Sequence, residues 1–153
     1  MYDQPIDRDA VVEILNRIME VELAGVVRYS HYSLMVFGHD RIPVVEYLRS
    51  EAQKSLTHAN QAGEMVTHLG AHPSLGIGPL LETHKHTVRD ILSEALEHEK
   101  QALGLYRALL SMVEGKSVLF EEYARGMLLE EERDLGEVDK MLREPGDIAA
   151  FSN

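Results

Sequence analysis

The chain contains no cysteine, which excludes disulfide bonds and thiolate metal sites. Aromatic residues make up only 6% of the 153 residues and prolines number five, a composition that suits helices better than sheets. No uninterrupted apolar run approaches the roughly 20 residues that a membrane-spanning helix needs. The first residues, 1–5, lack the basic start and apolar run of a signal peptide. We therefore expect a cytoplasmic protein without a membrane partner.

Basic residues are also scarce, because 15 Lys and Arg face 26 Asp and Glu, for a formal net charge of -11. An acidic surface repels phosphate backbones and attracts cations. Nucleic acid is therefore not an expected partner, whereas metal ions are.

Four stretches of the chain show apolar residues at helical spacing, at about 9–37, 43–69, 79–114 and 118–143. Pro43 suits a first helical turn, Gly115 a C-terminal stop and Ser117 an N-terminal cap. The pattern predicts an all-α protein in which the whole chain, 1–153, forms one four-helix domain.

Each predicted helix carries polar residues in the middle of an otherwise apolar core face. These residues are Glu22 in the first helix, Glu51, Ser55 and His58 in the second, Glu99 in the third, and Glu131 and Asp134 in the fourth. Counting outward from the two short connections places the polar groups of each antiparallel helix pair at one height. The polar residues of the second and third helices lie closer in height along the bundle if these two helices are parallel. We therefore expect a crossover about as long as the bundle, formed by residues 70–78 and frayed helix ends.

Five carboxylates and one imidazole would thus converge, and no Lys or Arg occupies the predicted core faces. Burying an unpaired carboxylate costs several kcal/mol, a penalty that a divalent cation removes. Oxygen ligands with one imidazole suit iron, manganese or zinc. The alternative is a hydrated polar layer without metal. Tyr29 and Tyr106, two turns from Glu22 and Glu99, either pack in the core or donate hydrogen bonds to the ligands.

The register of the fourth helix requires a choice among three consecutive glutamates, Glu130, Glu131 and Glu132. The surrounding apolar positions select Glu131 for the core, so we expect Glu130 and Glu132 to face solvent. Residues three apart share a helical face, so Glu131 and Asp134 can bind one ion together.

These residues resemble the ferritin-like superfamily and, within it, the bacterioferritins. The likeness spans about 9–143 and lies in three segments, namely Glu22-Leu-Ala-Gly-Val-Val-Arg-Tyr29, His58-Ala59 followed by Leu69-Gly70 and Pro73, and Glu131-Glu-Arg-Asp134. It implies a left-handed four-helix bundle with a long crossover between the second and third helices. It also implies two metal ions, one on Glu22 and His58 and the other on Glu99 and Asp134. Glu131 would bridge them.

The chain departs from the bacterioferritin pattern at several positions. Ser55 stands where the family has a bridging Glu, for which Glu51 is the candidate replacement, and Asp134 stands where the family has His. Leu56 replaces the haem-binding Met of the family, so we expect no haem. About ten residues follow Arg143, too few for the fifth helix of cage-forming members, so we expect a homodimer.

The favoured hypothesis is a protein that binds one or two iron ions and oxidises ferrous iron with dioxygen or peroxide, in iron homeostasis or oxidative-stress protection. Its expected catalytic residues are Glu22, His58, Glu99 and Glu131, with Ser55, Tyr29 and Tyr106 around them. One alternative is a metal-binding or scaffold bundle without redox activity. The other is a rubrerythrin-like peroxidase, against which the lack of cysteine counts.

Overall fold

The computed structural model describes residues 5–80 and 83–151, and within these residues it contains four helices and no strand. The helices are α1 (Arg8–Met35), α2 (Arg41–His68), α3 (Val88–Val113) and α4 (Val118–Leu142). The predicted all-α class is confirmed. The N-terminal residues 1–4 and residues 81–82 of the predicted third helix lie outside the described part. No described helix combines the length and apolar character needed to cross a membrane.

The boundary between the third and fourth helices agrees with the prediction. The Ser117 side chain accepts a hydrogen bond from the Phe120 amide (3.4 Å) and so caps α4. Gly115 has a φ of 72°, a left-handed conformation that side chains disfavour, and it follows the end of α3. Pro43 lies in the first turn of α2, which begins two residues earlier than predicted, at Arg41.

The predicted start of the third helix at Pro79 is wrong, because α3 begins at Val88. Thr87 caps it by accepting a hydrogen bond from the Asp90 amide (3.0 Å). The described residues between 79 and 87 are not helical, and the crossover runs along α1. A helix rises only about 1.5 Å per residue against about 3.3 Å for extended chain. The connection can therefore span the bundle only if these residues are not helical.

The four helices form two antiparallel pairs joined by this crossover. Arg8 Nε at the start of α1 donates to the Leu69 carbonyl beside the end of α2 (2.8 Å). Arg89 at the start of α3 donates to the Leu142 carbonyl at the end of α4 (3.2 Å). Helix α1 also packs antiparallel to α3, so α2 and α3 are parallel, as predicted. Among the described residues, α2 and α4 meet through side chains and not through close backbone packing.

Apolar side chains fill the two ends of the bundle and leave its middle to polar residues. One cluster surrounds Leu15 and Phe120, and the other surrounds Tyr32 and Leu48. In the last turn of α4, Leu142 is buried and Met141 is 41% exposed. Leu142 packs with Leu92 and Leu96 of α3.

Candidate metal centre

The structure brings the predicted polar residues together in one layer between the two apolar clusters. Glu22 and Glu131 are each 1% exposed, and Glu51, Ser55, His58 and Glu99 are also buried. Asp134 lies at the edge of the layer, with 19% of its side chain exposed. Several carboxyl groups therefore share a nearly dry interior, where each needs a counter-charge, a proton or a donor.

Glu22, His58 and Glu131 form the tightest group, which we call the primary site. One ligand atom from each residue lies within 4.8 Å of the others. His58 Nδ1 is 2.7 Å from Glu22 Oε2 and 3.4 Å from Glu131 Oε1. The buried atoms Glu22 Oε2 and Glu131 Oε2 nonetheless accept no hydrogen bond of normal geometry. Two carboxylates with unsatisfied oxygens around one imidazole nitrogen are a donor set that fits a divalent cation.

Glu130 orients the imidazole of the primary site. Its Oε2 lies 2.9 Å from His58 Nε2, which leaves Nδ1 to face Glu22 and Glu131. Glu130 faces solvent as expected, with 55% of its side chain exposed, but its carboxylate also reaches His58, which the sequence did not indicate. A groove of about 360 Å³ opens beside it between α2 and α4. Glu132 does face solvent, where it pairs with Arg107 (3.1 Å).

The electrostatics of the primary site are those of a protonated imidazole between carboxylates. Burial by itself lowers the pKa of His58, but contacts with Glu131 and Glu22 outweigh it and raise the pKa to about 10. Burial also raises the pKa of Glu22 to about 7, although His58 opposes this effect. Without a metal, His58 is therefore the internal counter-charge at neutral pH. A cation that binds Nδ1 must displace this proton.

Glu99 is buried in the same layer and is held by two neighbours. Tyr29 donates a hydrogen bond from its hydroxyl to Glu99 Oε1 (2.5 Å). Burial and contact with Glu131 hold the pKa of Glu99 well above its usual range. Of the two roles considered for Tyr29, the geometry favours a hydrogen-bond donor. Tyr106 instead lies in an apolar cluster with its ring edge-to-face on Tyr123 (6.4 Å between centroids).

Glu51 and Asp134 are occupied by a lysine that the sequence interpretation overlooked. Lys54 Nζ lies 3.0 Å from Glu51 Oε1 and 3.1 Å and 3.2 Å from the two carboxylate oxygens of Asp134. Lys54 is not on the predicted core face of α2, but its long side chain reaches back to the polar layer. The lack of Lys and Arg on the predicted core faces therefore does not leave this layer without a basic group.

Gly25 allows α1 to approach α2 and α3 closely next to the primary site. A β-carbon at this position would lie 2.7 Å from Ser55 Oγ and 2.9 Å from His98 Nε2. Burial and the nearby Arg28 lower the pKa of His98 to about 4, so this imidazole is neutral at physiological pH. The sequence did not predict that His98 is buried. Adjacent residues of a helix usually point in different directions, and the predicted core face passes through Glu99.

The close approach at Gly25 leads to a prediction about stability. Gly25→Ala should be less stable than Gly104→Ala by about 1–3 kcal/mol, because the new methyl group overpacks a buried contact. Gly104 is a matched control on α3, where a β-carbon meets nothing within 4 Å. Urea denaturation of both variants measures the difference, and equal stabilities would contradict the proposed crowding.

The fold and the site define a class of protein, a four-helix bundle with a buried carboxylate–histidine centre between its helices. The sequence model of the ferritin family, a ferritin-like domain, matches residues 12–145. The chain therefore belongs to the ferritin-like family, as the resemblance of its motifs indicated. None of the curated protein sequences matches it.

Several solved structures share the architecture at low sequence identity. A ferritin-like, diiron-carboxylate protein from Bacillus anthracis is 23% identical, with a TM-score of 0.78 over 90% of this chain and 98% of that one. The bacterioferritin-related protein of Bacteroides fragilis, a dodecameric thioferritin, is 19% identical, with a TM-score of 0.83 over 90% and 86%. Bacterioferritin of Desulfovibrio desulfuricans is 20% identical, with a TM-score of 0.75 over 88% and 79%. These likenesses confirm the predicted ferritin-like bundle.

Proposed function

We propose that this protein binds ferrous iron at Glu22, His58 and Glu131 and oxidises it with dioxygen or peroxide, in iron homeostasis or protection against oxidative stress. The observation that carries the proposal is the convergence of two buried carboxylates on His58 Nδ1, in which Glu22 Oε2 and Glu131 Oε2 make no hydrogen bond of normal geometry. Membership of the ferritin-like family and a structural neighbour described as a diiron-carboxylate protein support iron as the metal.

The chemistry of the site suits an iron substrate. Each ferrous ion loses one electron, and dioxygen or peroxide takes up the electrons together with protons to form water. The ferric product carries a higher charge, so the carboxylates of the primary site stabilise it more than they stabilise the ferrous ion. Glu99 would supply a further carboxylate next to Glu131. Zinc and manganese fit the same ligands and are the metals to exclude by experiment.

Anaerobic calorimetric titration with ferrous iron tests the binding step. We expect saturable binding, weakened more than tenfold in Glu131→Ala, because this change removes a ligand from a buried site. Glu132→Ala is the matched control, since the neighbouring glutamate is exposed and pairs only with Arg107 among the described residues. Absence of saturable binding, or equal affinities of the two variants, would contradict the proposal. After air is admitted, ferric absorbance should develop faster than in buffer with the wild-type protein, and at about the buffer rate with a variant that does not bind iron.

A metal-binding bundle without redox activity is the second candidate, favoured by the contacts of Lys54 with Glu51 and Asp134. This function predicts tight zinc binding and no acceleration of iron oxidation over buffer. Oxygen consumption by the iron-loaded protein distinguishes the two functions. Consumption that falls in Glu131→Ala but not in Glu132→Ala supports the oxidase.

We further propose that the protein forms a homodimer. Light scattering during size-exclusion chromatography should then give twice the chain mass of 17.3 kDa. The related Bacteroides fragilis protein is dodecameric, and a mass of that order here would contradict the homodimer.

A further inference from the structure

The half of the polar layer away from His58 contains an ammonium group between carboxylates. Lys54 Nζ is within 3.2 Å of three oxygens, one from Glu51 on its own helix and two from Asp134 on α4. The Glu51 side chain is only 8% exposed, so the ion pair reaches well below the surface. A cation thus already lies between two carboxylates of this layer.

We infer that Lys54 takes the place of a second metal ion, so that the protein holds one metal ion at the primary site and an ammonium beside it. This inference rests on the proposed metal binding at Glu22, His58 and Glu131. The resemblance to bacterioferritins implied that Glu99 and Asp134 share a second ion. The side chains of the described residues do not fit that arrangement.

The ligands that a second ion would need are engaged elsewhere. Both oxygens of Asp134 contact Lys54, and Glu99 accepts a hydrogen bond from Tyr29. Among the described residues, the only group of three whose ligand atoms converge is the primary site, which includes neither Glu99 nor Asp134.

The balance of charge favours the same conclusion. Helix α2 presents Ser55 to the middle of the layer, so no carboxylate from this helix lies between Glu51 and His58. One ammonium neutralises one of the two carboxylates that it contacts and donates hydrogen bonds to both. A divalent ion at this position would have to displace the ammonium, because two positive charges this close together repel each other.

Zinc is a suitable probe, because it does not change oxidation state and binds the same donor types. Calorimetry followed by elemental analysis after desalting should give one zinc ion per wild-type chain and two per chain of Lys54→Met. Lys100→Met is the matched control, since Lys100 pairs with Glu97 at the same helical spacing but on the surface, and it should bind one ion. The double variant Lys54→Met/Asp134→Asn should bind one zinc ion per chain, because it lacks a ligand of the second zinc site.

The outcomes separate this inference from the proposed function. Two ions in the wild-type chain, or one ion in Lys54→Met when that variant melts cooperatively, would overturn the role of Lys54 and leave the primary site intact. No ion in the wild-type chain would overturn both. To locate the ions, His58→Ala/Lys54→Met should lose one of the two zinc ions, and loss of neither would overturn the assignment of the first ion to the primary site.

Discussion

Replacing His58 with alanine should destabilise the metal-free protein by about 3–5 kcal/mol at neutral pH, the usual cost of breaking a buried ion pair. The protonated imidazole lies 2.7 Å from Glu22 Oε2 and 3.4 Å from Glu131 Oε1, and both glutamates are 1% exposed. Without it, the two carboxyl groups must take up protons or remain charged without a partner. Urea denaturation after chelator treatment measures the free energy of unfolding.

Two further variants show whether charge causes this loss. His39→Ala removes an exposed imidazole and should change the free energy of unfolding by less than about 0.5 kcal/mol. Adding Glu22→Gln to His58→Ala should restore part of the stability, because one buried charge disappears with its former partner. A His58→Ala variant as stable as His39→Ala would show that the site does not need its internal cation.

The metal-free protein should become less stable as the pH rises from about 5 to 10. The pKa of His58 is raised from 6.5 to about 10, so its contribution to stability is complete below pH 6.5 and is lost as the pH passes 10. The pKa of Glu22 is raised from 4.5 to about 7, so this carboxyl group favours the folded protein less as the pH rises through 7. The folded chain thus binds more protons than the unfolded chain across this range. Each extra proton lowers the free energy of unfolding by about 1.4 kcal/mol per pH unit.

Metal should reverse this dependence, because a divalent ion replaces the protons at the primary site. We expect the affinity for zinc to rise about tenfold per pH unit for each proton released, between pH 6 and 8. The metal-loaded protein should therefore gain stability relative to the metal-free protein as the pH rises. Melting temperatures at several pH values, with chelator or with zinc, measure both trends. Metal-free melting temperatures that rise from pH 6 to pH 9 would contradict the assigned protonation states.

The fold was largely predictable from the sequence because its determinants are periodic and local. Apolar spacing located four helices, and the heights of the polar residues gave the parallel order of α2 and α3. The start of α3 was not predictable in the same way. The stretch after Pro79 has no strong breaker, and its described residues are not helical because the crossover must reach the far end of the bundle.

The site was predictable only where a residue lies on a core face. Glu22, His58, Glu99 and Glu131 interrupt apolar runs, so their burial follows from periodicity. Lys54 and Glu130 lie off those faces, and their participation depends on long side chains that turn back toward the axis. Helical spacing predicts the direction of each Cβ, but it does not predict the position of the charged group at the end of a long side chain.

The side-chain junction between α2 and α4 has a consequence for motion. Lys54 with Asp134 and His58 with Glu130 hold these helices together by polar contacts that water can replace. Helices α2 and α4 also share apolar contacts at one end of the bundle, such as His68 with Phe120, whereas the pairs α1–α2 and α3–α4 pack closely over more of their length. Transient separation should therefore begin along this edge, and native-state amide hydrogen exchange should be faster in the middle of α4 than in the middle of α1. Such opening would give solvent ions a path inward while the rest of the bundle remains closed.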